Sequence, residues 1–410
     1  MKQTLWIVSE LFYPETTSTG YFVTGIAEGL VGDLDVRALC SRPTYSEHGQ
    51  SVPWREMHAG VDIRRMRSTA FSKDWMPGRV LNMVTFSVLV AMTALFRFRS
   101  TDAVLVVTNP PLATLLLGIV IRLKRMRGLL LVHDVYPEVL HATGHVRPDG
   151  PASRAIQRVM GWVFRSYSDI VVLGRDMAEL IRRKMQNNHG IVIIPNWGDA
   201  AEVAPIERSA NPFAIAHGLT DKTVVQFSGN LGRTHDIETA LAAAQRMKDR
   251  ERLRFLFVGY GGKTGLISTA GTALPNVLFA PRQPRDMLGP MLSCSDATLI
   301  AFTDDMLGVS VPSRMYNVMA AGAPIVALAD ERSELAQVVC EEGCGWTLRT
   351  GDVDGLCALL AFIDSDEGKA EATRRGAAGR KAMTQSYTAD IVIDRFAALL
   401  RSPSSKAPYN

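Results

Sequence analysis

Cysteine is scarce and unevenly placed in this sequence. Only five cysteines occur in 410 residues, and no secretory signal precedes the first apolar segment, so the sequence predicts reduced thiols and no disulfide framework. Cys340 and Cys344 are spaced C-x3-C, without the second Cys or His pair that a structural zinc site normally needs. These absences favour a cytosolic protein without a structural zinc site.

A strong excess of charge of either sign is also lacking. The chain has 45 Lys and Arg against 41 Asp and Glu, a formal net charge of +4. This suits an anionic ligand or a membrane surface but falls short of a nucleic-acid-binding protein. Apolar residues make up 47% of the chain, which excludes disorder. The length accommodates two α/β domains with substantial cores.

Short apolar segments alternate with helical segments along both halves of the chain. In the first half they are residues 5–8, 103–107, 129–133, 170–172 and 192–194. After a polar stretch at 198–220, a second series comprises residues 223–227, 253–258, 277–280, 297–301, 324–327 and 345–348. Strands separated by helices predict parallel sheets with right-handed crossovers. The sequence therefore predicts an α/β protein with two Rossmann-like, doubly wound domains, 1–205 and 206–385, facing across a cleft.

Glycine-rich loops follow the first two strands of the second half. Residues 229–233 precede an amphipathic helix, so backbone amides and the helix N-terminus suit a phosphate, with Arg233 and His235 adding basic side chains. Glycines in such turns also have a purely steric explanation. Residues 259–263 repeat the pattern with the same two interpretations.

The segment at 311–324 is more specific. It contains a loop of small residues, a helix with a basic residue in its first turn, a glycine stop and then a strand. Ser313 is predicted to cap the helix, and Arg314 with the first backbone amides would face an anion. The alternative is an ordinary capped helix.

Six segments of the sequence together resemble one known protein family. VPSRMYNVMAAGAPIVA at 311–327 resembles the signature region of retaining GT-B glycosyltransferases of family 4. It is most similar to the bacterial surface-polysaccharide branch that includes N-acetyl-fucosamine transferases. The other segments are YPETTSTG, HDVYPE, IPNWGD, FSGNLGRTHD, and SELAQVV with GCGWTLRTGD, in that order along the chain. Residues 388–400 resemble the family's last helix, which predicts a third segment, 386–410, crossing back to the first domain.

The resemblance implies a transfer that uses no metal or other cofactor, in which amides and basic side chains neutralise the donor diphosphate. The implied diphosphate-binding residues are Gly229, Asn230, Arg233, His235, Ser313 and Arg314. The implied base- and ribose-binding residues are Gly259, Arg282, Gln283, Asn317 and Glu334. The implied catalytic residues are His133 and Asp134, and those on the acceptor side are Glu15 and Gly20.

The sequence departs from the family at its acidic pair. The two glutamates spaced E-x7-E would fall at Val309 and Asn317. The amide of Asn317 can hydrogen-bond a ribose hydroxyl, because it both donates and accepts. Glu334 either supplies the missing carboxylate or is a solvated helix residue. Asn230 stands where the family has an arginine.

Two acidic motifs resemble metal sites. Residues 364–366 spell D-x-D, but they lie between two predicted helices and are interpreted as a solvated turn. Asp304 and Asp305 lack the further ligands that a divalent cation requires.

Residues 80–96 form an uncharged apolar segment between Arg79 and Arg97. The segment falls just short of the roughly 20 residues that span a bilayer, which favours a buried or interfacial helix. A basic cluster follows it, made of Arg122, Lys124, Arg125 and Arg127. Peripheral contact with an anionic membrane and a core helix with solvated charges both remain open.

The resulting functional prediction is a hexosyl or N-acetylhexosaminyl transferase. It would move sugar, with retention, from a nucleotide-sugar, UDP-linked, to a lipid-linked glycan during bacterial O-antigen, capsule or exopolysaccharide synthesis. Its expected location is the cytoplasm, including the inner face of the plasma membrane, and nucleic acid is not an expected partner. The alternatives are a UDP-sugar epimerase of the same fold and an inactive binding scaffold. An NAD(P) oxidoreductase is disfavoured because the N-terminal loop lacks G-x-G-x-x-G.

Overall fold

The computed structural model describes residues 2–43, 51–72, 75–185 and 190–403. The chain divides into two compact units. The first comprises Met1–Val139, Val146–Pro195 and Asp390–Asn410, and the second comprises Leu140–His145 and Asn196–Ala389.

In the first unit, parallel strands alternate with helices. The strands are β1 (Thr4–Val8), β2 (Asp35–Cys40), β3 (Arg55–His58), β4 (Val61–Arg65), β5 (Ala103–Val107), β6 (Arg127–Val132), β7 (Asp169–Val172) and β8 (Ile191–Ile193). The helices are α1 (Ser18–Gly29), α2 (Met76–Arg97), α3 (Pro111–Lys124), α4 (Glu138–Ala142), α5 (Pro151–Ser166) and α6 (Arg175–Met185). Helix α4 continues into the short segment assigned to the second unit.

The sheet of the first unit has the order β3-β4-β2-β1-β5-β6-β7-β8. All neighbours are parallel except β3 and β4. The sequence pattern did not predict β2, β3 and β4, because charged residues interrupt their apolar positions. The structure explains those charges at the β3–β4 edge, where Asp62 accepts hydrogen bonds from Arg55 and Arg64.

The second unit repeats the alternation. Its strands are β9 (Thr223–Asn230), β10 (Leu253–Tyr260), β11 (Val277–Pro281), β12 (Ala297–Ala301), β13 (Ile325–Leu328) and β14 (Gly345–Leu348). Its helices are α7 (Pro212–Ala216), α8 (Ile237–Arg246), α9 (Thr264–Ala273), α10 (Leu288–Ser293), α11 (Arg314–Ala320), α12 (Glu334–Glu341), α13 (Val353–Ile363) and α14 (Asp366–Ser386). The last helix, α15 (Ala389–Arg401), lies almost wholly within the first unit.

The sheet of the second unit is parallel throughout, with the order β11-β10-β9-β12-β13-β14. Each apolar segment predicted as a strand overlaps a strand, and the prediction of two doubly wound α/β domains is confirmed. The chain reverses its direction of winding between β9 and β12. In such sheets ligands bind outside the carboxyl ends of the strands at this switch point. The geometry therefore directs attention to the end of β9, at Gly229 and Asn230.

Arg127 ties α15 to the sheet of the first unit. Its guanidinium pairs with Asp169 at 3.1 Å, where the aspartate side chain is only 1% exposed. The same guanidinium donates to the carbonyl oxygens of Leu399, Leu400 and Ser402 at 2.8, 2.8 and 2.7 Å. A helix end leaves such carbonyls without intrahelical partners. Arg127 is therefore a structural residue, which fits neither of the two interpretations of the basic cluster, a membrane contact or solvated charges.

We expect Arg127→Gln to lower the free energy of unfolding of the first unit by about 3 kcal/mol, because it removes the guanidinium that pairs with the buried Asp169 carboxylate. Hydrogen exchange of the amides of β6, β7 and α15 during denaturant unfolding measures the loss. Adding Asp169→Asn should restore part of it, since the buried charge that the guanidinium balanced is then gone. Strictly additive losses in the double variant would contradict this account.

Candidate functional site

Two glycine loops touch at the carboxyl ends of β9 and β10. A Cβ added at Gly259 would lie 1.9 Å from the carbonyl oxygen of Gly229, and one at Gly261 would lie 2.6 Å from the carbonyl oxygen of Leu231. Both glycines also have positive φ. The steric explanation of the 259–261 glycines is therefore correct, and these contacts fix the loop that ends β9.

The N-terminus of α8, which follows the first glycine loop, is already capped. The Asp236 carboxylate accepts from the backbone N–H of Thr239 at 3.1 Å and from that of Gly351 at 3.2 Å. A carboxylate at this position occupies the place that a phosphate would take. Asp236 therefore competes with a phosphate for the first backbone N–H groups of this helix.

Arg314 is the central cation of the second unit. Its guanidinium lies 4.6 Å from the centre of the Phe227 ring, and Nη1 donates to the carbonyl oxygen of Ser228 at 2.6 Å. Among the described residues this carbonyl is its only hydrogen-bond acceptor, and no carboxylate pairs with it. Burial lowers the pKa of Arg314 to about 10, so it is still charged at neutral pH. A desolvated cation without a counterion is suited to binding an anion.

His235 and Lys263 lie beside this cation. Burial, followed by the charges of Arg314 and Lys263, lowers the pKa of His235 to about 2, so the imidazole is neutral. Lys263 Nζ donates to the carbonyl oxygen of His235 at 2.8 Å and to Glu238 Oε2 at 2.7 Å. Lys263 was not among the predicted site residues, although it ends the second glycine-rich motif.

The other residues predicted to bind the diphosphate do not all lie close to Arg314. Gly229 is close to the cation, since a Cβ there would lie 3.0 Å from Arg314 Nη1. Asn230 is exposed on the same loop. Arg233 is exposed and donates to the carbonyl oxygen of Thr143 at 3.3 Å. The structure thus brings Gly229, His235 and Arg314 together, whereas the Arg233 guanidinium is engaged elsewhere in the second unit.

Helix α11 differs from its predicted geometry. Ser313 has helical backbone angles and makes no capping hydrogen bond, so the predicted cap is wrong. Asn317 Oδ1 accepts from the backbone N–H of Asp199 at 2.9 Å. That oxygen therefore holds the 194–199 segment, and a ribose contact would fall to the amide nitrogen. Val309, at the other acidic position of the family, is buried.

Glu334 is buried, with 8% of its surface exposed, at the start of α12. The interpretation of Glu334 as a solvated helix residue is therefore wrong. In the predicted base-binding loop, Gln283 donates to the carbonyl oxygen of Pro281 at 2.8 Å, and the Arg282 guanidinium lies 5.8 Å from the Tyr260 ring centre.

The residues of the D-x-D motif make structural contacts. Asp364 accepts from the Thr223 hydroxyl at 2.6 Å, and Ser365 caps α14 by accepting from the backbone N–H of Gly368. Asp364 is therefore a packed link to β9, which corrects the interpretation as a solvated turn. Within the described parts of the chain, no group of three or more His, Cys, Asp or Glu is placed to hold a metal ion.

The first unit has its own polar cluster at the end of β6. His133 is buried, and burial lowers its pKa to about 4. Its Nδ1 lies 3.1 Å from the Thr19 hydroxyl, whereas its Nε2 is buried without a hydrogen-bond partner among the described residues. The backbone N–H groups of His133 and Asp134 both point to the Thr108 hydroxyl, at 3.1 and 3.5 Å. An orphaned buried nitrogen is a candidate ligand contact.

The predicted acceptor-side loop reaches this histidine through α1. Gly20 is required there, because a Cβ would lie 2.6 Å from the carbonyl oxygen of Glu15. Thr17 caps α1 by accepting from the backbone N–H of Gly20, which places Thr19 in the first turn. Glu15, Gly20 and His133 therefore belong to one region of the first unit.

Comparison with known proteins identifies the family. Residues 19–197 match the family described as "Glycosyl transferase 4-like domain", and residues 212–381 match "Glycosyl transferases group 1". The chain is 29% identical over 402 residues to WbjE of Pseudomonas aeruginosa, described as a probable glycosyltransferase, and covers 97% of each protein. The chain belongs to the GT-B glycosyltransferases of family 4.

Solved structures agree with this glycosyltransferase fold. Alr3699/HepE from Anabaena, crystallised in complex with UDP, superposes with a TM-score of 0.71 over 98% of this chain and 100% of that chain, at 13% identity. WaaG, described as a glycosyltransferase involved in lipopolysaccharide biosynthesis, gives a TM-score of 0.68 over 97% of this chain and 100% of its own, at 12% identity. At these identities the likeness shows the fold alone.

The low pKa of His133 makes the first unit of this glycosyltransferase sensitive to acid. The folded pKa of about 4 lies below the ordinary histidine value of 6.5, so the unfolded chain binds the proton first as the pH falls. The neutral histidine therefore stabilises the fold fully above pH 6.5, and this contribution falls by on the order of 3 kcal/mol between pH 6.5 and 4. His133→Gln should flatten the pH dependence of unfolding over this range. His217→Gln, at an exposed histidine, is the control, and equal slopes in wild type and His133→Gln would refute the assignment.

Proposed function

We propose that the chain is a retaining hexosyl or N-acetylhexosaminyl transferase that uses a UDP-sugar and extends a lipid-linked glycan. The observation that carries the proposal is the uncompensated Arg314 guanidinium at the switch point of the second sheet. A nucleoside diphosphate leaving group supplies the charge that this cation lacks. The UDP in the HepE complex supports a uridine donor.

Arg314 and Lys263 supply the positive charge for departure of the diphosphate without a metal ion. Both lie near the neutral His235, which keeps an N–H donor available over the physiological pH range. As the sugar–phosphate bond breaks, these groups stabilise the charge that develops on the diphosphate. Glu334 and the amide nitrogen of Asn317 are proposed to contact the ribose.

His133 is proposed to hold a sugar hydroxyl. Its Nδ1 lies beside the Thr19 hydroxyl, so its unpartnered Nε2 is the atom that would meet a ligand. The low pKa keeps the ring neutral at pH 7, which suits hydrogen bonding and excludes a role as a permanent cation. Asp134, Glu15 and Gly20 complete the proposed acceptor side.

A lipid-linked acceptor requires contact with a membrane, and α2 supports this proposal. The helix has 22 residues. Its positions 82, 86, 90 and 94 are buried, whereas Val80, Val84, Val88 and Met92 are exposed on the opposite face. Only 28% of its most apolar 18-residue stretch is buried, which favours an interfacial helix over a core helix with solvated charges. Asn82 does not disturb the apolar face, because it points inward and binds both backbone groups of Phe71.

The exposed apolar surface continues onto α3 and is bordered by cations. Ile119 and Leu123 of α3 are exposed, and Leu123 is 71% exposed. The exposed arginines at the ends of the two helices are Arg79, Arg97, Arg99, Arg122 and Arg125. An apolar face bordered by arginines suits the interface of an anionic bilayer. We therefore propose peripheral attachment to the cytoplasmic face of the plasma membrane during surface-polysaccharide synthesis, a process in which WaaG offers a structural parallel.

Replacing Arg314 by Gln tests the donor site. We expect UDP affinity to fall about tenfold to a hundredfold, because one charge-assisted interaction with phosphate is lost. The measurement is the UDP concentration that produces half of the maximal rise in melting temperature, in buffer containing EDTA. Arg246→Gln, at an exposed arginine, is the matched control.

Wild-type protein that UDP does not stabilise, or an Arg314→Gln variant that binds UDP normally, would contradict the donor proposal. An unchanged melting temperature without UDP would show that Arg314→Gln still folds. Incubation with UDP-glucose alone separates transfer from epimerisation, because an epimerase isomerises the sugar without acceptor. The anomeric coupling constant of the transferred sugar, measured by NMR, tests retention.

Two aspartates on the α2 face test membrane contact. Val84→Asp/Val88→Asp should lower binding to vesicles of phosphatidylcholine and phosphatidylglycerol at least tenfold, because charged side chains are costly in the apolar part of the interface. Ile215→Asp/Leu266→Asp introduces the same charges at exposed apolar residues of the second unit. Equal binding by both double variants would argue against α2 as the membrane contact.

A further inference from the structure

A cationic groove lies between α5 and α6 of the first unit. It has a volume of about 570 Å³. Its lining residues are Glu138, Arg154, Gln157, Arg158, Gly161, Arg165, Leu180, Arg183 and Lys184. Positions 154, 158, 161 and 165 follow one face of α5, and 180, 183 and 184 follow the facing side of α6. The fold therefore concentrates five basic side chains and one carboxylate around one groove.

The positive charge of the groove is partly uncompensated, since Arg183 pairs with Glu179 whereas Arg154 and Arg158 have no counter-charge among the described residues. The side chains of Arg154 and Arg158 are exposed and make no hydrogen bond or ion pair with any described residue. The single carboxylate, Glu138, pairs with Lys184 at 2.6 Å. Arginine pairs in a concave site favour a phosphate group, which they bind through two parallel N–H donors each.

Glu138 adds a second requirement for the ligand. Its Oε1 is held by Lys184, whereas its Oε2 is buried and has no hydrogen-bond partner among the described residues. A buried carboxylate oxygen needs a donor, and an ionised phosphate oxygen is not one. A hydroxyl group next to the phosphate would provide it. The ligand that satisfies both ends is a phosphate ester with a nearby hydroxyl.

Gly161 places no side chain in the groove between α5 and α6. A Cβ at this position would meet nothing closer than Arg165 Nη1 at 3.5 Å, which is an ordinary contact. Packing therefore does not require glycine, although glycine within a helix costs about 1 kcal/mol relative to alanine. The absence of a side chain leaves the space over α5 to the ligand and to Arg165.

We propose that the α5–α6 groove binds a phosphorylated polyol, with the phosphate on Arg154 and Arg158 and a hydroxyl on Glu138 Oε2. Two sources share this chemistry, namely a glycerol phosphate headgroup of the bilayer and the sugar diphosphate of a lipid-linked acceptor. Glu138 follows His133 by five residues, at most roughly 18 Å of extended chain. The second source rests on the proposed function, whereas the phosphate site does not.

The test compares Arg154→Gln/Arg158→Gln with Arg250→Gln/Arg374→Gln, which removes the same charge at two exposed arginines of the second unit. Calorimetry with glycerol 3-phosphate, inorganic phosphate and inorganic diphosphate forms the soluble arm. Sedimentation with phosphatidylcholine vesicles, with and without phosphatidylglycerol, forms the lipid arm. We expect the groove variant to lose at least tenfold in affinity and the control less than twofold.

Glu138→Gln tests the hydroxyl contact. It should strengthen binding of inorganic phosphate, because a negative charge leaves the groove, and reduce the preference for glycerol 3-phosphate over inorganic phosphate. An unchanged preference would overturn the role of Glu138.

The two arms identify the source of the phosphate. A selective loss with phosphatidylglycerol vesicles assigns the groove to a bilayer headgroup, and a selective loss with the soluble probes assigns it to the acceptor. Equal losses in the groove and control variants, or no binding of any probe by wild type, would overturn the site. The UDP-induced rise in melting temperature should be the same in all these variants. A failure of the groove is thereby distinguished from a failure of the donor proposal.

Discussion

The contact between the backbones of Gly229 and Gly259 controls the geometry of the second unit's candidate site. A Cβ at Gly259 would lie 1.9 Å from the Gly229 carbonyl oxygen, so β9 and β10 run side by side to their last residues only because residue 259 is glycine. The end of β9 then presents the Ser228 carbonyl oxygen to Arg314 and leaves no space for a side chain at Gly229. Arg314 is fixed in turn between that carbonyl and the Phe227 ring. The position of the Arg314 guanidinium therefore depends on how the ends of β9 and β10 pack together.

The sequence was sufficient to predict the strands that show a regular hydrophobic pattern. Strands buried on both faces, such as β5 and β12, are continuous apolar runs and were predicted. Strands β2, β3 and β4 were not, because charged residues interrupt their apolar positions, and a pair between strands such as Arg55–Asp62 forms only in the folded sheet. The spacing of apolar residues alone cannot distinguish such an edge strand from a polar loop.

The candidate site shows the same division. Arg314 and His133 were predicted from motifs, and the structure gives both unusual environments. Lys263 was overlooked, although a lysine after a glycine-rich loop is a usable signal. The environments of Asn317, Glu334 and Asp236 were not predictable, because they depend on Asp199, on burial at the end of β13 and on Gly351 respectively. Motif spacing predicts which residues approach a strand end, and tertiary packing determines which atoms remain available.

The parts of the first unit are synthesised at different times. Its sheet comes from the early part of the chain, but α15, which Arg127 holds against it, is synthesised only after the whole second unit. On the ribosome, the residues of the first sheet, with Arg127 and Asp169 among them, therefore emerge before α15, and the surface that α15 covers is still exposed. All strands of the second unit are synthesised before α15 can cover that surface. Domains usually fold in order of synthesis, but here the earlier one reaches its final form last.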